Sequence, residues 1–148
     1  MAIWEWVLEA YGRPGVPEAC LELQDRFGQN TSFLLWAVHA ETANPELLKR
    51  AAAAALAWDR VALTPLRASR RALKAPLPPV PDAGREALRE EVKGLELAAE
   101  RLLMETLEGL SRGASDGAPA LAALEAASAA WGPPAPADAL AALAAALG

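Results

Sequence analysis

Apolar residues recur along this chain at intervals of three and four, and no stretch alternates apolar and polar residues with β-branched enrichment, so every strong periodic signal is helical. Ile3, Trp4, Val7, Leu8 and Tyr11 form the stripe of a first helix, which stops before Gly12 and the Arg13-Pro14-Gly15 turn. Trp6 lies off that stripe. Pro17 opens a second helix with Cys20, Leu23, Gln24 and Phe27 inward, and Gly28 ends it. Asn30 or Thr31 caps a third helix, Phe33 to Val38, which is apolar all round and therefore predicted to be central. Asn44-Pro45-Glu46 starts a fourth helix as cap, first position and acidic first turn, leading through Leu48, Ala52, Ala55 and Trp58 to Ala62.

Proline then divides the chain. Pro65 predicts a kink or restart near Thr64, whose hydroxyl can cap the next helix. The proline-rich Ala75 to Pro81 stretch reads as a stiff extended connector. Asp82 is placed to cap the longest helix, with a predicted inner stripe of Leu88, Val92, Leu95, Ala99, Leu102, Thr106 and Leu110, and with Gly94 as a point of close packing. The composition changes at Ser111 to Gly117. The expected organisation is all-α: a helical bundle domain over 1–112 and an alanine- and proline-rich tail over 113–148 with one or two short helices, about five to seven helices in the bundle. Helices as short as those of the tail are marginal alone and either dock or stay mobile, and their leucine stripes favour docking.

Composition refines this picture. With 148 residues and 53% hydrophobic content there is enough material for a core, but alanine supplies about a quarter of the chain, so Leu and Trp must fill it. The net charge of −5 argues against a general nucleic-acid or anionic-membrane binder. One cysteine excludes an internal disulfide and fits a reducing compartment; acidic residues near the N-terminus and the lack of a long apolar run disfavour secretion and membrane insertion. A cytoplasmic location is expected.

Catalytic signals are thin. His39 is the sole histidine, which leaves a serine triad or a two-histidine metal site incomplete, and it reads as a core histidine bonded to a backbone carbonyl. Cys20 sits on a packed stripe and reads as a small hydrophobe. No phosphate-cradling glycine loop occurs, and no cofactor or metal is called for. Trp4, Trp36 and Trp58 read as core aromatics.

Against this background one segment departs from the bulk charge: Arg67, Arg70, Arg71 and Lys74 fall on one face of the helix that follows Pro65. Such a concentration of positive charge needs a negative partner. Inside the molecule, Glu96 and Glu100 of the long helix can meet the arginines in bidentate pairs if the two helices run antiparallel. Outside it, the cations can receive a protein partner or a small anion. Nucleic acid fits less well, because interleaved exposed aromatics are missing.

The segments Trp4-x-Trp6, Tyr11-x-Arg13-Pro14-Gly15-Val16, Ala19-Cys20-Leu21-x-Leu23-Gln24-Asp25, Asn30 to Trp36, Pro65-Leu66-Arg67-x-x-Arg70-Arg71-x-Leu73-Lys74 and Val92-Lys93-x-x-Glu96-Leu97-x-x-Glu100 resemble a proteobacterial family of short helical proteins catalogued as a domain of unknown function. The resemblance covers roughly the first 110 residues. It implies a cytoplasmic all-α bacterial protein and supplies no reaction, cofactor or catalytic residue. The functional expectation is a non-catalytic protein-interaction or regulatory module using Trp6, Arg67, Arg70, Arg71 and Lys74. The competing reading is a small-anion site or enzyme in which Arg67, Arg70 and Arg71 hold the ligand and Glu96 or Glu100 acts as acid or base.

Overall fold

The computed structural model describes residues 1–148 and is all-helical, with no strand. The elements are α1 (Ile3–Tyr11), α2 (Val16–Asp25), α3 (Thr31–His39), α4 (Pro45–Trp58), a π-helical turn (Asp59–Leu63), α5 (Thr64–Ala72), α6 (Asp82–Ser111), α7 (Ala120–Trp131) and α8 (Ala137–Leu147). Residues Thr31 to Ala37 of α3 are all buried, as expected of a helix with no polar face. The Asn30 side chain accepts from Phe33 N at 3.0 Å and so starts α3. Asn44 does the same for α4 through Glu46 N and Leu47 N.

Around α3 the core is built from every helix except α5, with Ile3, Val16, Leu23, Leu48, Leu107, Leu124 and Leu143 among its fully buried side chains. Three tryptophans tie elements together through their indole N–H groups. Trp36 donates to Ser111 Oγ, Trp58 to Ala99 O and Trp131 to Gly28 O, each at 2.9–3.0 Å. Trp131 also lies against Phe33. The 113–148 helices are docked: Ala123, Leu124 and Ala127 of α7 and Leu140, Leu143 and Leu147 of α8 belong to the one core cluster.

Two local expectations are corrected. Thr64 does not cap α5; its hydroxyl donates to Asp59 Oδ2 at 3.0 Å, and the chain passes from α4 to α5 through the π turn instead of breaking. A turn bonded i to i+5 is wider than an α turn, which accommodates a ring with no N–H to offer. Asp82 likewise is not a cap but the first residue of α6, and its carboxylate takes a bond from Arg85 at 3.4 Å.

The larger correction concerns α6. Its buried positions are Arg85, Glu96, Ala99, Leu103, Met104 and Leu107, while Leu88, Leu95 and Leu102 of the expected inner stripe are 49%, 57% and 53% exposed. The core-facing side is turned by about 100° from the leucine stripe, since successive residues advance by that angle and Glu96 follows Leu95. A Cβ on Gly94 would touch nothing within 4 Å, so that glycine marks no close packing within the chain.

Because α8 is sequestered in the same core as α1–α6, Leu143→Ala should lower the unfolding free energy by roughly 2–5 kcal/mol in urea titration. A loosely attached tail would give a change near zero.

Candidate functional site

The basic helix finds its negative partner inside the molecule. Helix α5 folds back antiparallel along α6, so that Leu73 and Lys74 lie beside Arg85, Arg70 beside Arg89 and Glu96, and Arg67 beside Glu96. Arg70 Nε donates to Glu96 Oε2 at 2.7 Å and Nη2 to Oε1 at 3.3 Å, a forked pair that a lysine could not make. Arg67 stands 3.6 Å from the same carboxylate and donates to Gln24 Oε1 at 3.3 Å, which ties α2 into the cluster. Arg71 reaches Asp25 of α2 at 3.0 Å, in a pair exposed on both sides. Lys74 is exposed and in no ion pair; its carbonyl accepts from Arg85 at 3.2 Å.

Glu100 is the carboxylate left outside the ion pairs. It stands one turn beyond Glu96, half-buried, and the ion pairs of Arg67 and Arg70 go to Glu96 alone. Burial and then the Glu96 charge push its carboxyl up to about 7, against a smaller opposing pull from Arg67 and Arg70. Tyr11 and Cys20 complete this wall from α1 and α2. Burial first, then Cys20 and Glu100, hold the tyrosine hydroxyl far above its ordinary range. The Cys20 thiol is pushed up to about 11, again by burial, and so stays protonated and unreactive at neutral pH. Arg70 is held above the ordinary arginine value by its bond to Glu96.

Arg85 was not legible as a functional or structural residue from charge alone, yet it is buried and donates to Leu73 O at 2.6 Å and Lys74 O at 3.2 Å, closing the C-terminal end of α5. Arg89 adds a bond to Arg70 O at 3.2 Å. The available signal was spacing: Arg85, Val92, Glu96, Ala99, Leu103 and Leu107 share one face of a helix once charged residues are admitted to it.

Trp6 is not part of this cluster. It is half-buried on the far side of α1, with its ring 5.4 Å from that of His39, whose Nε2 lies 2.9 Å from Met1 O. No three His, Cys, Asp or Glu side chains are placed to hold a metal ion, and no helix is long and apolar enough to cross a membrane.

Several grooves are open at the surface, polar ones beside Lys74 and beside Trp6 and His39, and two that are chiefly apolar. One groove of about 560 Å³ runs between α4 and α7 past Leu48, Ala52, Leu56, Ala126 and Trp131, with Lys49 at its edge. A second, of about 490 Å³, lies where the π turn meets α6 and is walled by Ala54, Ala57, Trp58, Val61, Leu102 and Thr106. Val61 there is 73% exposed, and Leu102 leads along α6 to Leu95 and Leu88. The second groove and the leucine row thus form one continuous face.

A family model described as "Protein of unknown function (DUF2390)" matches residues 2–107, which takes in α1–α5 and α6 as far as Leu107. No curated protein and no solved structure matches the chain.

Two measurements check the cluster. Replacing Glu96 with Gln leaves two largely covered guanidinium groups facing a neutral amide and should cost roughly 1–3 kcal/mol, whereas Arg71→Met, in an exposed pair, should cost under about 1 kcal/mol. Glu100 sets a pH dependence of known sign. A carboxyl that binds its proton more tightly in the folded state favours the fold below its unfolded pKa near 4.5 and loses that advantage as pH rises through about 7. Between pH 5 and 8, Glu100→Gln should therefore gain on the wild type by on the order of 1–3 kcal/mol in chemical denaturation.

Proposed function

We propose that this chain, which belongs to the DUF2390 family of proteins of unknown function, is a non-catalytic protein-interaction module that docks through the outer face of α6. The observation that carries this reading is the row Leu88, Leu95 and Leu102, all about half exposed on a helix whose other side packs on α5 in its first half and on the core in its second. Scattered single leucines on a surface need no explanation. Three at seven-residue spacing, continuous with an apolar groove, form the kind of surface that a partner helix covers.

The basic helix supports the reading by elimination. Arg67 and Arg70 are engaged with Glu96, and Arg71 with Asp25, so an external acidic surface would have to displace bonds already made. The same holds for a small anion. Its binding would strip Glu96 of its counter-charges and leave that carboxylate uncompensated in a nearly dry setting. Lys74 is in no ion pair, and Trp6 stands apart from the arginines, at a groove of about 660 Å³ that it shares with Arg13, His39 and Glu41.

The test is cross-linking followed by mass spectrometry of the tagged full chain in cells, comparing wild type, Leu95→Glu and Arg71→Glu. Leu95→Glu should abolish the defined partner set, and Arg71→Glu should keep it. Partners retained by the first variant and lost by the second would move docking to α5 and overturn the assignment.

A further inference from the structure

The geometry points to a binding site for a small phosphate-bearing molecule in the groove between the end of α5 and the first half of α6, independent of what covers the leucine row. The groove encloses about 470 Å³, a volume suited to a small molecule, and five of its six lining residues are charged: Lys74, Arg85, Glu86, Arg89 and Glu90. Its three cations differ from Arg67, Arg70 and Arg71 in how little of their charge the chain itself matches. Lys74 is exposed and in no ion pair. Arg89 is half-buried and donates Nε to Arg70 O at 3.2 Å, which leaves both of its Nη groups without a partner in the chain. Arg85 is 6% exposed, and its Nη1 is taken by Leu73 O and Lys74 O. Its Nη2 reaches Asp82 and Glu86 only at 3.4 and 3.5 Å, and its Nε is buried with no acceptor at all. A covered donor without an acceptor costs free energy, so this end of α6 holds more donor capacity than the chain fills.

Charge selects the ligand. The two carboxylates of the wall are already matched, since Glu90 receives Lys93 Nζ at 3.0 Å and Glu86 stands beside Arg85. The carbonyls that end α5, which would repel an anion, are covered by Arg85. What is left over is Lys74 on one wall and Arg89 on the other, two positive charges without a counter-ion. Two charges favour a dianion over a single carboxylate. The two Nη groups of Arg89 match two phosphate oxygens, and Lys74 supplies a point charge. None of these cations belongs to the Glu96 pairs, so phosphate in the groove leaves that carboxylate compensated. Glu86 and Glu90 accept hydrogen bonds and donate none, so a phosphate monoester that carries hydroxyl groups suits the groove better than phosphate alone. The net charge of −5 opposes anions at long range, and an open groove with two charge-assisted partners gives a dissociation constant on the order of 1 mM.

Amide chemical shifts of the isotope-labelled full chain test this, in titrations with sodium phosphate at about pH 8, where phosphate is a dianion, and with sodium chloride at matched ionic strength. Phosphate should shift the amides around Lys74, Arg85 and Arg89 to saturation, and chloride should not. Lys74→Gln changes an exposed side chain in no ion pair, so it should keep the fold and weaken phosphate binding at least about ten-fold. Arg89→Gln should weaken it as much, while Arg71→Gln, whose arginine is paired with Asp25 outside the groove, should leave it unchanged. Glycerol 3-phosphate, titrated in the same way, should bind more tightly than inorganic phosphate; equal or weaker binding would keep the phosphate site and overturn the part given to Glu86 and Glu90. Phosphate shifts that match those of chloride, or phosphate binding that Lys74→Gln leaves unchanged, overturn the site.

Discussion

A carboxylate withdrawn from water must be neutralised by something that comes with it, and Glu96 is the residue on which the second half of this structure depends. Its exposure is only 8%, and two arginines from a different helix supply the compensating charge. Because the forked Arg70 bond has a narrow geometry, it fixes both the register and the rotation of α5 on α6. Arg85 then completes the contact from the other direction by satisfying carbonyls at the end of α5, which has no buried apolar side chain of its own. Helix α5 is therefore held chiefly by charge and hydrogen bonds, with Leu66 and the π turn as its apolar attachment.

The same constraint explains why the arginines of the cationic segment, which stand out in the sequence, are paired within the molecule. A cluster of like charges in a protein of opposite net charge can be read as a site or as half of an internal network, and charge counting does not separate the two. Proximity does. At 2.7 and 3.3 Å the Arg70 guanidinium and Glu96 are already matched, and Gln24 takes a further Arg67 donor. Glu100, left outside these bonds, is the member whose proton affinity shifts, which is what a second carboxylate beside an already satisfied one must do.

Sequence pattern carried the all-helical fold, the caps at Asn30 and Asn44, the central place of α3 and the meeting of Arg70 with Glu96, because each rests on short-range stereochemistry or on complementary charge. It failed on the face of α6 for a definite physical reason. A hydrophobic stripe is found by assuming that charged residues face water, and on this helix Arg85 and Glu96 do the opposite. The leucines then offered a regular alternative spacing that is equally helical. The π turn escaped for a related reason: Pro65 announces a disturbed helix, but whether the chain breaks or widens depends on what α4 and α5 each pack against. The docking of α7 and α8 was settled by distant partners such as Phe33 and Gly28, which no local pattern names.

Rotating α6 by about 100° would bury Leu88, Leu95 and Leu102, gaining on the order of 1–2 kcal/mol for each half-exposed side chain covered. That rotation would also pull Glu96 from Arg67 and Arg70 and expose Leu103, Met104 and Leu107, which now lie in the core. A monomer thus cannot satisfy both faces of α6 at once, and the arrangement it adopts keeps the ion pairs and core while leaving the leucines outside. The exposed row is a consequence of the charge network rather than an accident of loose packing. Covering it requires atoms from beyond the chain.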